Sequence, residues 1–241
     1  GPQNKWGVFP SAAFAWRAIN EEFMKGQNTF SDLKLRLGWG QVGNEAIPGY
    51  GYGSAMAARG TPMGTGFVIS NMPNPAVQWE SQEQWNLGLD LGLFTNRVNL
   101  TLDVYRKFVN DLLLRLPMPS YMGGGSWMGI QEPWVNAGKV ENRGIEAMLT
   151  TVNTTGDFDW STDFIFTLNR NEVKFIGGES GVIFNNVQWF HTVSRTAEGY
   201  PMGMFYGFRT DGIFRDLEHI ESSPTQNDRV DLISGVYPGD I

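Results

Sequence analysis

Residues 85–104 read WNLGLDLGLFTNRVNLTLDV, and this stretch decides the fold. Apolar and polar side chains alternate on both sides of a short interruption at residues 94–97. The apolar set is Trp85, Leu87, Leu89, Leu91, Leu93, Val98, Leu100, Leu102 and Val104. A helix would scatter these side chains around its circumference. The alternation therefore predicts two antiparallel strands joined by a tight turn, each with one apolar face.

The same period of two recurs in five other segments, which brings the number of candidate strands to about seven. These segments are residues 6–18, 33–39, 145–150, 158–168 and, more weakly, 199–214. The only helical signal is a turn near residues 20–24. The chain is therefore predicted to be all-β.

The lengths of the predicted connections alternate along the chain. Residues 43–77, 115–142 and 170–193 form long connections, whereas the turns at residues 94–97 and 154–157 are short. Long loops at one end and short turns at the other are typical of an outer-membrane barrel. The two strands of the central hairpin also reach the roughly 9–11 residues that a bilayer-crossing strand needs. These patterns favour a large antiparallel transmembrane β-barrel, although a soluble β-sandwich stays open as the alternative.

Composition narrows the possible functions. The net charge of −7 argues against a nucleic-acid partner, which requires a basic surface. The chain has no cysteine, so disulfides, thiolate zinc sites and cysteine nucleophiles are excluded within it. No apolar run approaches the roughly 20 residues of a membrane-spanning helix. Residues 1–6 lack the charged and apolar pattern of an export signal.

No catalytic constellation emerges from the sequence. His191 and His219 are the only histidines, and both fall in predicted loops. Neither a G-x-S-x-G nor a Walker A motif is present. The run Gly123–Gly125 has no following lysine, so a flexible loop is the better interpretation. We therefore expect no enzyme activity, no cofactor and no metal site.

The polar positions of the central hairpin suggest a second feature. Asp90 and Asp103 alternate to the same side of adjacent strands, together with Asn86 and Asn99. A pair of catalytic carboxylates is conceivable there. The stronger interpretation is that these four residues line the polar lumen of a barrel.

Aromatic residues in the long connections are candidates for contact with substrate or partner. They are Tyr50 and Tyr52 in the first loop, Tyr121, Trp127 and Trp134 in the second, and Trp189 and Phe190 in the third. Such rings can stack on a sugar face or on peptide side chains. The alternative is that they pack the loops against one another. We expect the second loop to contact cargo or a partner protein, since exposed aromatics on a loop otherwise favour aggregation.

Six sets of short motifs resemble, in order, those of the SusC/RagA family of TonB-dependent transporters. They are WGVFPS (6–11) with Trp16-Arg17; SDLKLR (31–36) with GWGQVGN (38–44); WE (79–80) with NLGLD (86–90); NAG (136–138) with ENRGIE (141–146); NRNEV (169–173); and FYGF (205–208) with DGIF (211–214).

This resemblance implies a location in the outer membrane of a Gram-negative, Bacteroides-type bacterium, surrounded by lipid. It implies import of an oligosaccharide or a peptide, with a SusD-like surface lipoprotein as partner and the TonB complex as the source of energy. A siderophore or vitamin receptor is the alternative within the class, and a secreted glycan-binding β-sandwich is the alternative outside it. We expect residues 1–241 to be an internal portion of the barrel domain, with the plug domain and the remaining strands outside this sequence.

Overall fold

The two strands predicted from residues 85–104 lie at the centre of a six-stranded antiparallel sheet. The computed structural model describes residues 4–116, 118, 121, 130–178, 181–187, 191–207 and 212–223. The strands are β1 (Ser11–Arg17), β2 (Phe30–Asn44), β3 (Met56–Thr61), β4 (Gly64–Ile69), β5 (Glu80–Leu93), β6 (Val98–Asn110), β7 (Leu113–Arg115), β8 (Trp134–Asn136), β9 (Gly138–Thr154), β10 (Trp160–Ile176), β11 (Val182–Val187), β12 (His191–Ala197) and β13 (Met204–Phe205).

Helical structure is limited to short segments in the described part of the chain. Ala18–Asn20 and Glu22–Met24 are single 3₁₀ turns, as the turn signal near residues 20–24 predicted. A six-residue helix, α1 (Leu217–Ser222), begins after Asp216, whose side chain accepts a hydrogen bond from the backbone N–H of His219. None of these helices has the length and apolar content needed to cross a membrane.

The main sheet is an up-and-down meander in the order β1-β2-β5-β6-β9-β10. Hairpin β3-β4 is inserted between β2 and β5, and the pair β7-β8 is inserted between β6 and β9. A three-stranded sheet of β11, β12 and β13 follows β10. Both insertions and the sheet that follows β10 leave the main sheet at the same end, which we call the loop end. The short turns lie at the opposite end, the turn end, so the predicted alternation of connection lengths is confirmed.

Five of the six strands are long. They contain 15, 14, 13, 17 and 17 residues in β2, β5, β6, β9 and β10. These lengths exceed the roughly 9–11 residues that cross a bilayer. At the turn between β5 and β6, Phe94, Thr95 and Asn96 adopt positive φ angles of 53°, 57° and 60°. The backbone N–H of Asn96 donates to Ser31 Oγ at 2.9 Å, which ties this turn to β2.

Cross-strand register places the alternating leucines in continuous rows. Leu35 faces Leu89, Leu89 faces Leu102, and Leu102 faces Ala147 across four strands. We call this side of the sheet the apolar face. Its side chains are half-buried or exposed, with Leu87 at 48% and Phe166 at 47% accessibility. Within the described residues no second sheet lies against this face, which is the opposite of what a β-sandwich requires.

The opposite side, which we call the polar face, carries the only hydrophobic cluster of buried residues in the described chain. Val109, Val140, Val173 and Ile176 meet at the loop end, and Leu112, Leu116 and Ile183 pack against them. The connecting segments therefore fold over the polar face at this end of the sheet.

The weaker strand predicted at residues 199–214 does not form as a continuous strand in its described part. Gly199 and Gly203 have positive φ angles of 80° and 69°, a conformation that interrupts an extended strand. Only Met204–Phe205 pairs, against Arg195 and Ser194 of β12. Strands β11 and β12 instead form partly inside the predicted third loop, and residues 208–211 lie outside the described residues.

Replacing Leu89 by arginine tests whether the apolar face contacts lipid. Leu89 lies in the middle of β5, with Leu35 and Leu102 on either side. An arginine on a lipid-facing barrel position near the midplane costs about 2–4 kcal/mol of folding free energy. We expect this loss in urea unfolding of the full-length transporter in lipid vesicles. Asn86→Arg is the matched control because Asn86 is exposed on the polar face of the same strand, so we expect a change within about 0.5 kcal/mol. Equal effects of the two substitutions would contradict the assignment of the faces.

Candidate functional site

A charge cluster lies in the middle of the polar face and spans three strands. Arg36 of β2 donates from Nε to Asp90 Oδ2 at 2.9 Å, and its Nη1 lies 2.9 Å from Asp103 Oδ1. A second bond joins Arg36 Nη2 to Asp90 Oδ1 at 3.0 Å, so the first pair is bidentate. Lys34 Nζ lies 4.0 Å from Asp90 Oδ2. The side chains of Arg36 and both aspartates are partly exposed, at 26–34%.

Gly88 makes room for this cluster. It faces Arg36 on one side and Asp103 on the other. A Cβ atom at Gly88 would lie 2.5 Å from Arg36 Cζ and 2.6 Å from Asp103 Oδ1. The glycine therefore allows the guanidinium group to cross above β5. The two aspartates are bound to arginine and are not arranged as an acid–base pair.

The other two predicted lumen-lining residues lie on the same face. Asn86 accepts a hydrogen bond from Gln84 Nε2 at 2.8 Å and borders an open cavity of about 560 Å³ with Tyr105, Lys107 and Glu146. Asn99 Nδ2 donates to the carbonyl oxygen of Asn96 at 2.8 Å, so its side chain supports the turn. The structure brings all four residues to the polar face, and their contact with a lumen stays a prediction.

The first loop presents two of the predicted aromatic residues together. The ring centroids of Tyr50 and Tyr52 lie 6.2 Å apart. Tyr50 has a positive φ of 59° and is 84% exposed. Both rings line a cavity of about 360 Å³ at the loop end; its wall also includes Glu45, Val77 and Trp79. This cavity combines aromatic surface with polar groups, as binding sites for sugars and peptides do.

Trp134 in β8 joins the second loop to the first. The guanidinium carbon of Arg115 lies 4.8 Å from the centroid of the Trp134 ring, and the carbonyl oxygen of Trp134 accepts a hydrogen bond from Asn74 Nδ2 at 2.7 Å. A Cβ atom at Gly51 would be 3.4 Å from Trp134 Cδ1. The indole nitrogen is buried and has no hydrogen-bond partner among the described residues. Trp134 therefore packs two loops together.

The remaining predicted aromatics are only partly described. Tyr121 is 88% exposed. Trp127, Trp189 and Phe190 lie outside the described residues. Contact of these side chains with cargo or partner stays a prediction. Among the described residues, no group of three or more His, Cys, Asp or Glu side chains is placed to hold a metal ion.

Sequence reasoning missed an amide that connects the two loops. Asn136 Nδ2 donates to the carbonyl oxygens of Gln78 and Asp111, each at 2.9 Å. Its Oδ1 accepts from the backbone N–H of Gln78 at 2.9 Å. Nearby, Glu80 is 6% exposed and its Oε2 accepts from the backbone N–H of Leu113 at 3.3 Å. Asn136 stands in one of the family-like motifs, which was the only signal that marked it.

Comparison with known proteins assigns the family. Residues 1–214 match the family of TonB dependent receptor-like, beta-barrel domains. The chain is 34% identical over 232 residues to TonB-dependent receptor P3 of Formosa agariphila, covering 92% of this chain and 22% of that protein. It is 34% identical over 188 residues to TonB-dependent receptor SusC of Bacteroides thetaiotaomicron, covering 73% of this chain and 18% of SusC.

A solved structure agrees with these relatives. The structure of the RagAB peptide transporter matches with a TM-score of 0.73 and 27% identity, over 85% of this chain and 22% of that chain. The chain thus spans about a fifth of the length of the proteins that it matches. Members of this family are outer-membrane transporters and not enzymes, and the open six-stranded sheet is what a portion of such a barrel contains. The chain belongs to the TonB-dependent receptor β-barrel family, with SusC and RagA-type transporters among its relatives.

Proposed function

We propose that this chain forms barrel wall and three extracellular loops of a transporter that imports an oligosaccharide or a peptide across the outer membrane. A SusD-like surface lipoprotein would cover the mouth, and the TonB complex would supply energy through a plug domain outside this sequence. One observation carries the proposal. The three long connections lie at one end of the main sheet. One face of this sheet is apolar and exposed, and the other face carries the charge cluster.

The two faces of the sheet would have different roles in such a transporter. The apolar face suits lipid, since alternating barrel strands place apolar residues outward and polar residues inward. The polar face would then line the passage. Its Arg36–Asp90–Asp103 cluster ties three strands together while leaving polar groups exposed to water in the lumen. Asn86 and Asn99 would contribute to the same lining.

The loop end supplies the surface that would bind cargo. Tyr50 and Tyr52 present adjacent rings to one cavity, and Tyr50 is largely exposed. A tyrosine ring can stack on the apolar face of a sugar or on a peptide side chain while its hydroxyl group forms a hydrogen bond. This chemistry supports both cargo classes. The similarity to a structure described as a peptide transporter supports peptide as one of them.

The second loop is the proposed contact for the lipoprotein. Tyr121 is 88% exposed, so its ring is accessible to a partner protein. We include Trp127, Trp189 and Phe190 in this proposal because they fall in the second and third loops. Trp134 contributes indirectly, since its contacts with Arg115 and Asn74 hold the loops in position.

Epitope tags can test which end of the sheet faces the cell exterior. One tag is inserted between Pro62 and Met63, at the tip of hairpin β3-β4, where Met63 is 98% exposed. The control tag is inserted between Thr155 and Gly156, in the exposed turn between β9 and β10. We expect antibody to label only the first tag on intact cells and both tags on permeabilised cells. Labelling of the second tag alone on intact cells would reverse the proposed orientation.

Substitution of the paired tyrosines tests the cargo surface. Tyr50→Ala and Tyr52→Ala each remove a ring, and loss of about 1 kcal/mol of stacking would weaken cargo binding roughly fivefold. Tyr50→Phe and Tyr52→Phe keep the rings and are the matched controls, for which we expect tighter binding than for the alanine variants. The measurements are cargo affinity of the purified transporter and uptake by cells. Unchanged affinity and uptake in both alanine variants would refute a role of this pair in binding.

A further inference from the structure

Near the loop end, a row of three arginines crosses the apolar face. Arg106 of β6 faces Arg143 of β9, and Arg143 faces Arg170 of β10. We call these three residues the arginine row. On the side away from the loops, each arginine adjoins an apolar residue of its own strand on this face, namely Val104, Ile145 and Leu168, which face one another in the same order.

Two tryptophans mark the same level on the neighbouring strands. Trp39 of β2 faces Trp85 of β5, and Trp85 faces Arg106. Both indole nitrogens donate to Glu83 Oε1 at 3.0 Å. Their rings therefore border the leucine rows while their N–H groups point to a polar group nearer the loops. Tryptophans in this arrangement are typical of the membrane–water interface.

The arginine row carries more positive charge than its neighbours neutralise. Arg106 Nε lies 2.7 Å from Glu141 Oε1, and its guanidinium carbon lies 4.7 Å from the centroid of the Phe108 ring. Lys174 Nζ binds Glu141 at 3.1 Å and Glu172 at 2.6 Å. Both glutamates of the adjacent row thus already have a cationic partner.

Arg143 and Arg170 are left without such a partner. Both are exposed, and within the described part of the chain neither forms an ion pair or a side-chain hydrogen bond. Like charges directly opposite each other on adjacent strands destabilise a sheet. An anion located between these two side chains would remove that repulsion. Arginine binds phosphate through paired, charge-assisted hydrogen bonds.

We propose that the arginine row binds the phosphate of a lipid headgroup in the outer leaflet that surrounds the barrel. The row is continuous with the apolar face, so a lipid can place its acyl chains along the leucine rows and its phosphate between Arg143 and Arg170. The tryptophans at the same level place this position at the headgroup depth, where basic residues attract anionic lipids. The inference rests on the proposed orientation, in which the loop end faces the cell exterior.

The experiment compares variants of the full-length transporter that contains this chain. Arg143→Gln with Arg170→Gln removes both charges and keeps polar side chains of similar length. Arg143→Lys with Arg170→Lys keeps the charges. Lys107→Gln is the control. Lys107 follows Arg106 in β6 and faces Asn142, so its side chain lies on the polar face. The substitution therefore removes a positive charge from the opposite side of the sheet. Heat-dependent migration on a gel verifies that each variant folds.

Native mass spectrometry would count the lipids that remain bound, using lipid A with its phosphates and the same lipid after dephosphorylation. Each basic residue at headgroup depth contributes roughly fivefold to lipid affinity, so we expect the double glutamine variant to bind phosphorylated lipid A roughly thirtyfold more weakly. The double lysine variant and Lys107→Gln should stay within a few-fold of the parent. Equal binding by parent and double glutamine variant, or equal binding of the two lipids to the parent, would overturn the proposal. Displacement of the lipid by millimolar inorganic phosphate would show a free-phosphate site and overturn the lipid assignment.

This outcome is distinguishable from failure of the proposed transport function. Cargo uptake tests the tyrosines and the loops, whereas lipid retention tests the outer side of β9 and β10. A transporter that loses lipid and still imports cargo would support both proposals. A transporter that keeps lipid in the double glutamine variant would contradict only the lipid site.

Discussion

Cross-strand register is the constraint on which the rest of this structure depends. Because side chains alternate between faces, a slip of one residue between β5 and β6 would move Leu102 from the apolar face to the polar face and Asp103 in the reverse direction. The Arg36 cluster would then lose Asp103, and a carboxylate would enter the leucine rows. The bidentate bond from Arg36 to Asp90 fixes the register of β2 against β5 in the same way. Apolar rows and ion pairs therefore specify one alignment together.

The register also explains why glycine occurs where it does on the polar face. Gly88 lies beneath the guanidinium group of Arg36, and a side chain there would displace the guanidinium that binds both Asp90 and Asp103. Gly144 is similar, since a Cβ atom would lie 2.7 Å from the phenol oxygen of Tyr105, which covers it from β6. At these two positions a large polar side chain extends across a neighbouring strand that has no side chain of its own.

The periodic part of the chain was the part that could be predicted. The alternation in residues 85–104 predicted the central hairpin and its turn, and alternating connection lengths predicted that the long loops share one end. Strand ends were less accurate. Strand β10 extends to Ile176, well into the predicted third loop, because Val173 and Ile176 pack with Val109 and Val140, which are distant in sequence. A contact of that kind leaves no periodic signal at either partner. The hydrogen bonds from the Asn136 side chain to the two loops were missed for the same reason, since the bonded residues lie 25 and 58 positions away in sequence.

The arginines on the two faces of the sheet differ in whether the chain supplies a carboxylate partner. On the polar face, Asp90 and Asp103 neutralise Arg36 within the chain. On the apolar face, the side chains below the arginine row are apolar and offer no carboxylate. The two glutamates above the row are already bound to Arg106 and Lys174. Exposed arginines that the chain does not pair are available to anions in the surroundings. In a membrane those surroundings are headgroups, so the same arginine chemistry that closes a structural cluster on one face is available for lipid on the other.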